Sequence, residues 1–195
     1  MNLIPLILAS GSPRRKQLLE QIGLEFSVLP SDVIEDFSLP LPPEAFTEHW
    51  AREKAKNVAE KHPDSLVVGA DTIVILDGKI LGKPKDELDS FSMLQSLSGN
   101  THEVITGVAF LNINSKIDFT FNERTYVSVK LLSDLDIHYY IDNYHPLDKA
   151  GSYGIQDWFS VHINKVDGCY YNVMGLPLSA FFSNYRALSN LFNGL

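Results

Sequence analysis

The sequence predicts an α/β fold in which a mixed, twisted β-sheet is flanked by helices. Three observations carry that prediction. Apolar runs of strand character alternate with segments whose apolar residues recur every three or four positions. Two tight turns, Asp77-Gly78 and one near Asn114-Ser115, fold successive strands back, so the sheet is not purely parallel. The chain has 195 residues, 45% of them hydrophobic, which suffices for one domain (or two small lobes sharing a core).

The first element is a strand over the apolar run from Leu3 to Ala9. It stops at Ser10-Gly11-Ser12-Pro13, and Arg14, Arg15 and Lys16 follow at once. Leu18, Leu19 and Ile22 recur at helical spacing, so a helix starts with Ser12 as N-cap and Pro13 at its first position. Three cations then sit where the helix dipole is already positive. A bound anion stabilises that arrangement, because a phosphate accepts from free backbone N–H groups and from guanidiniums together. A solvated basic first turn is the plainer reading.

The acidic, Pro-containing stretch from Ser31 to Pro43, with Glu35 inside it, reads as a loop. A helix follows from about Pro43 to Lys61, with Phe46, Trp50 and Val58 on one stripe and Lys54 in its missing place. Spacing alone favours a packed stem with its ammonium in water. The sharper alternative is a cation pointed into a cleft.

Leu66 to Leu76 is a strongly apolar strand with an acid, Asp71, in its middle. A buried carboxylate there needs a cation, a metal or a wet cleft. Gly69 permits close approach of another backbone or of a ligand. The return strand, Lys79 to Leu81, leads into Gly82-Lys83-Pro84. A two-residue turn sets Thr72 opposite Lys83 and points Asp71 to the other face; a bulge, or a strand ending before Lys83, would change that.

A helix from about Lys85 to Leu97 is expected to bury Leu88, Phe91 and Leu94 and to end at Ser98-Gly99. His102 to Leu111 reads as a central strand. Residues 119–131 alternate, with Phe119, Phe121, Thr125, Val127, Val129 and Leu131 on one face. Glu123 shares that face, either as an inward charge that protects an edge or as a site residue. Ser133 to Tyr140 opens a short helix, and residues 148–156 form a loop. Trp158 to Ile163 and Cys169 to Val173 read as paired strands, and Leu178 to Leu191 as the last helix.

Several classes are excluded or disfavoured. A net charge of −8 argues against broad nucleic-acid binding, although a local basic pocket still accommodates a small polyanion. No apolar run is long enough for a membrane helix. The single cysteine, Cys169, cannot form an internal disulfide and fits a reducing, cytoplasmic compartment. Neither a Walker A loop, a Rossmann glycine fingerprint nor a zinc-type His/Cys cluster is present.

Taken together, the segments resemble the Maf family of nucleotide pyrophosphatases. Four blocks match in order: Ala9-Ser10-Gly11-Ser12-Pro13-Arg14-Arg15; Gly69-Ala70-Asp71-Thr72 with Gly82-Lys83-Pro84; Leu97-Ser98-Gly99 with His102, Val104, Thr106 and Gly107; and Asp148-Lys149-Ala150-Gly151 through Ile155-Gln156. Glu123-Arg124-Thr125-Tyr126-Val127 and Gly175-Leu176-Pro177 also fit, so the match spans nearly the whole chain as one domain over residues 1–195.

The resemblance implies a fold related to the inosine-triphosphate pyrophosphatases, with two lobes, a central cleft and a homodimer. It implies hydrolysis of a nucleoside triphosphate between the α and β phosphates, with a divalent cation, Mg²⁺ or Mn²⁺. The Ala-Gly-x-Tyr-x-Ile-Gln segment resembles the dTTP/UTP branch. The family's proton acceptor falls on Asp71, with Lys83 beside it in the catalytic set. Its base-choice residues fall on Arg14, Thr72 and Gln156. Ser12, Arg15, Glu35 and Lys54 complete the expected substrate-binding set, and Asp71, Glu35 and Glu123 are the candidate metal ligands. Gln156 carries both a donor and an acceptor, which suits the imide edge of thymine or uracil. Tyr153 and Trp158 either stack on a base or pack in the core.

The chain departs from the family in one place: Asp157 follows Gln156 where the family often has Gly. If such a glycine serves a left-handed backbone, Asp tolerates it better than most residues. Two alternatives remain beside the main reading: a nucleotide-binding regulator of cell division, and a pyrophosphatase for modified or methylated nucleotides.

Overall fold

The structure is a computed structural model that describes residues 4–193, with side chains described through residue 189. The elements in chain order are β1 (Leu6–Leu8), α1 (Pro13–Gln21), β2 (Ser27–Val28), α2 (Pro43–Ala59), β3 (Leu66–Leu76), β4 (Lys79–Leu81), α3 (Glu87–Leu97), β5 (Thr101–Asn112), β6 (Ile117–Val129), α4 (Asp134–Tyr144), β7 (Ile163–Asp167), α5 (Tyr170–Val173) and α6 (Leu178–Asn193). Leu3, placed by the sequence in the first strand, lies outside the described residues. The expected α/β fold is found, with a seven-stranded mixed sheet in the order β2-β1-β3-β5-β6-β7 and β4 paired to β3. β1 runs parallel to β2 and β3, whereas β3–β4 and β6–β7 are antiparallel. No helix among the described residues is long and apolar enough to cross a membrane.

Contacts divide the chain into two compact units. The first comprises Met1–Asp71, Thr106–Glu123 and Gly175–Leu195, and the second Thr72–Ile105 and Arg124–Met174. The core of the first unit is built where α2 lies on the sheet. Ala51, Ala55 and Ala59 of α2 pack with Ile7, Val67, Ala109 and Leu111. Their small size lets the helix come close. A Cβ at Gly69 would stand 2.0 Å from the Ala51 carbonyl oxygen, and one at Gly107 2.3 Å from the Thr47 carbonyl carbon. The close approach foreseen at Gly69 is therefore to another backbone, that of α2.

Several sequence expectations need correcting. Leu88 is 80% exposed, because the buried face of α3 is centred on Ser90, Leu94 and Leu97. Leu131, expected to continue the inward face of β6, lies past the strand's end and is 84% exposed. The paired strands at Trp158 to Ile163 and Cys169 to Val173 do not form. Asp157 caps a 3₁₀ turn over Trp158–His162, and Gly168, at φ 123°, precedes the single helical turn of α5. The strand actually made here is β7, and its partner is β6. Asp157 has φ −104°, so no left-handed backbone is needed at that position.

The Asp77-Gly78 turn is as expected, both residues taking positive φ (49° and 76°), which a two-residue hairpin favours. β4 ends at Leu81, so the chain leaves the ladder before Lys83. Gly82 accepts from the Gly151 N–H at 3.0 Å, which ties this segment to the loop that follows α4.

Candidate active site

Three charged side chains of the first unit, Lys54, Glu35 and Arg15, gather around Asp71. β3 carries Asp71 in an otherwise apolar run, and the carboxylate is 3% exposed. α2 carries Lys54 on the stripe of Phe46, Trp50 and Val58, so its stem is packed. Its ammonium donates to Asp71 Oδ1 at 2.7 Å and pairs with Glu35 Oε1 at 2.6 Å. The Lys54 head is therefore not in open water, as a snorkelling side chain would have it, but is held by two carboxylates.

The loop before α2 supplies Glu35, and α1 supplies Arg15. Ser12 caps α1 by accepting from the Arg15 N–H at 3.5 Å. The Arg15 guanidinium donates through Nε to the Gly175 carbonyl at 2.8 Å and through Nη1 to Ser10 Oγ at 3.2 Å. Ser10 and Gly175 were not singled out from the sequence as site residues. A hydroxyl beside the cation run was the available signal for Ser10; a backbone carbonyl 160 positions away left none.

Electrostatics follow from this geometry. Burial raises Asp71 above the usual carboxylate range; Lys54 opposes the shift, Glu35 adds to it, and Arg15 opposes it. Burial likewise lowers the Arg15 guanidinium, with Asp71 and Glu35 pulling it back and Arg14 pushing it down. The second oxygen, Asp71 Oδ2, is buried without a hydrogen-bond partner. The three cations at the start of α1 differ in exposure and pairing. Arg14 is half-buried, whereas Lys16 is exposed and pairs with Glu20 at 3.5 Å along the helix.

The other expected site residues are Glu123, Thr72, Lys83 and Gln156. Glu123 is half-buried on β6 in the first unit. Among the described residues no three His, Cys, Asp or Glu side chains gather as a metal-holding group, so Glu123 does not complete a set with Asp71 and Glu35. The orphaned Asp71 Oδ2 and the nearby Glu35 still fit a hard cation that takes one or two carboxylates and fills its remaining positions with water and phosphate oxygens.

Thr72, Lys83 and Gln156 belong to the second unit. Thr72 is half-buried; Lys83 and Gln156 are exposed. Tyr153 is 6% exposed, and its hydroxyl lies 2.8 Å from His102 Nε2, so it is a core residue. Trp158 stacks on Tyr140 and Tyr144, with ring centroids 6.1 and 6.3 Å apart.

Comparison with known proteins bears on this arrangement. The family model described as Maf-like protein matches residues 5–188. A dTTP/UTP pyrophosphatase of Halalkalibacterium halodurans is 49% identical over 175 residues, covering 90% of this chain and 91% of that protein. Proteins of the same name from Bacillus cereus and Ruminiclostridium cellulolyticum are 47% and 46% identical, covering 91% and 89% of this chain and 87% and 91% of their own. Among solved structures, the Staphylococcus aureus Ham1 protein aligns with a TM-score of 0.41 at 13% identity, over 64% of this chain and 71% of that one. With a family model spanning nearly its whole length and relatives close to half identical, this chain belongs to the family of Maf-like proteins.

Proposed function

We propose that this protein hydrolyses dTTP and UTP to the monophosphate and pyrophosphate. The observation that carries the proposal is the buried Asp71 carboxylate, held by Lys54, beside Glu35 and Arg15, with one oxygen left without a partner. The curated relatives' shared name points to the same substrates.

Attack of water on the α phosphorus requires a proton acceptor, neutralisation of phosphate charge and a fixed line of approach. Asp71 takes the proton from the attacking water. A bond forms from water oxygen to the α phosphorus, the bond from that phosphorus to the bridging oxygen breaks, and pyrophosphate leaves. Arg14, Arg15, Lys54 and Lys83 hold the phosphates, and Ser12 keeps the first turn of α1 in place for them. Asp71 and Glu35 would hold a Mg²⁺ or Mn²⁺ ion, which supplies further charge neutralisation at the phosphate oxygens. Lys54 donates to both acids and so keeps two like charges side by side until phosphate competes for it. Thr72 and Gln156 read the base. The protein acts as a homodimer in the cytoplasm, which sedimentation and cell fractionation check.

The test is a nucleotide panel with Mg²⁺ or Mn²⁺, scoring pyrophosphate separately from orthophosphate, run in ¹⁸O-labelled water. Pyrophosphate with the label in the monophosphate is expected for dTTP and UTP. Orthophosphate as first product means attack at the terminal phosphorus and overturns the proposal. Modified pyrimidine nucleotides belong in the same panel.

A further inference from the structure

The loop that presents Gln156 is closed by a ring of hydrogen bonds in which Asp157 is the hub. The Gly154 N–H donates to the Tyr140 hydroxyl at 2.9 Å. That hydroxyl donates in turn to the Asp157 carboxylate, 3.0 Å from Oδ2 and 3.1 Å from Oδ1. The same carboxylate accepts from the Phe159 N–H at 3.1 Å. The Asp157 N–H returns to the Gly154 carbonyl at 3.3 Å and closes a four-residue turn.

Within this turn Ile155 is 3% exposed and Gln156 faces outward. The carboxylate lies directly over Gly154, where a Cβ would stand 2.5 Å from Asp157 Oδ2. Tyr140 is wholly buried, and burial together with Asp157 pushes its hydroxyl above the usual phenol value, so it stays a neutral donor and acceptor.

We infer that Asp157, acting with Tyr140, is a positioning residue that fixes the presentation of the Gln156 amide and thereby sets pyrimidine selectivity. The inference rests on the proposal that Gln156 reads the base. An amide tells uracil from cytosine only if its donor and acceptor are held in one orientation, because the two bases present opposite orders at the edge concerned. A turn free to rotate lets Gln156 serve either base. A glycine at 157 has no carboxylate to close the ring, so this chain holds its loop by a device that a glycine cannot provide.

The experiment compares kcat and KM for UTP and CTP in wild type, Gln156→Ala, Asp157→Ala, Asp157→Asn, Tyr140→Phe and the double variant Gln156→Ala/Asp157→Ala. Asp157→Ala is expected to lower the UTP-to-CTP ratio of kcat/KM by roughly tenfold or more, mainly through KM for UTP, as misplacement of a binding group does. Asp157→Asn, which keeps an acceptor oxygen, restores most of the ratio. In the Gln156→Ala background the second substitution should leave the ratio where it is, because Asp157 acts only through Gln156. Tyr140→Phe repeats the effect without touching the loop's own residues.

If Asp157→Ala lowers kcat/KM for UTP and CTP by a common factor with the ratio unchanged, or still shifts the ratio when Gln156 is gone, the inference falls and the proposed activity stands. A wild type that cleaves no nucleotide overturns the proposed activity first, and this inference with it.

Discussion

Asp71 is harder to ionise than a surface aspartate, because burial strips water from its charged form faster than Lys54 and Arg15 replace it. In the proposed role of proton acceptor it must be ionised, so kcat/KM falls on the acid side as Asp71 becomes protonated. Asp71→Asn removes the acceptor and should lower turnover by at least about a hundredfold. The stability sign is opposite. A carboxylate whose folded-state pKa is raised opposes folding once pH passes its unfolded value, so the Asn variant should not melt below wild type at neutral pH. A melting temperature well below wild type would mean that the pairing with Lys54 outweighs the desolvation. His102 is a second buried group, 1% exposed, with Nδ1 unpartnered and burial lowering it from 6.5 to about 4. The unfolded chain takes up its proton first. Its contribution is complete above pH 6.5 and fades as pH falls toward 4, a difference of about 3 kcal/mol. Urea unfolding at pH 7 and pH 4.5 should show this loss in wild type and a smaller one in His102→Gln, which can still hydrogen-bond Tyr153.

At the scale of elements, the cluster depends on how closely α2 lies on β3 and β5. Gly69 and Asp71 point to the same face of β3, and Gly69 leaves room for the α2 backbone at Ala51 and Ala55, on either side of Lys54 along the helix. Gly69→Ala puts a methyl group where the Ala51 carbonyl stands, so α2 must lift. We expect a loss of about 3 kcal/mol or more, measured by denaturant unfolding, and a fall in kcat beyond that of an equally destabilising change elsewhere, since Lys54 moves off Asp71. Normal kcat in a folded Gly69→Ala protein would separate the helix's position from the chemistry. The elements that matter here were legible where local signals were strong: Ser12-Pro13 starts α1, the four-residue stripe marks α2, and Asp77-Gly78 turns β3 into β4. Trp158 to Val173 misled because its aromatic and β-branched residues imitate strands, whereas the Asp157 cap and the backbone at Gly168 set the outcome. In the site, Asp71 stood out as an acid in an apolar strand. Lys54 could not be ranked from spacing alone, because a snorkelling lysine and a cleft lysine share one pattern. The tie from Arg15 to Gly175 joins residues 160 positions apart and leaves no local trace.

At the scale of the whole molecule, the proposed roles in charge and in base recognition fall to residues of different units. Asp71, Lys54, Glu35 and Arg15 fall in the first, and Gln156, with the ring that closes its turn, in the second; the division cuts β3 between Asp71 and Thr72. Every nucleoside triphosphate carries the same phosphates, so a group that acts only on them stabilises each transition state alike, whatever the base. A substitution confined to the first cluster should therefore scale kcat/KM for dTTP, UTP and CTP by one factor. Lys54→Met is the sharpest case. It removes a cation from two carboxylates, should lower kcat/KM by roughly a hundredfold or more for all three, and should move the acid limb of the pH profile upward, because Asp71 loses the partner that most favours its ionised form. Gln156→Ala should do the reverse, changing the ratios among the three while leaving the acid limb in place. Steady-state kinetics on three nucleotides across pH 5 to 8, for both variants and wild type, decides between this division and its alternative. If Lys54→Met shifts the base ratios as far as Gln156→Ala does, phosphate binding and base choice are one coupled function, and the assignment of roles by unit is wrong.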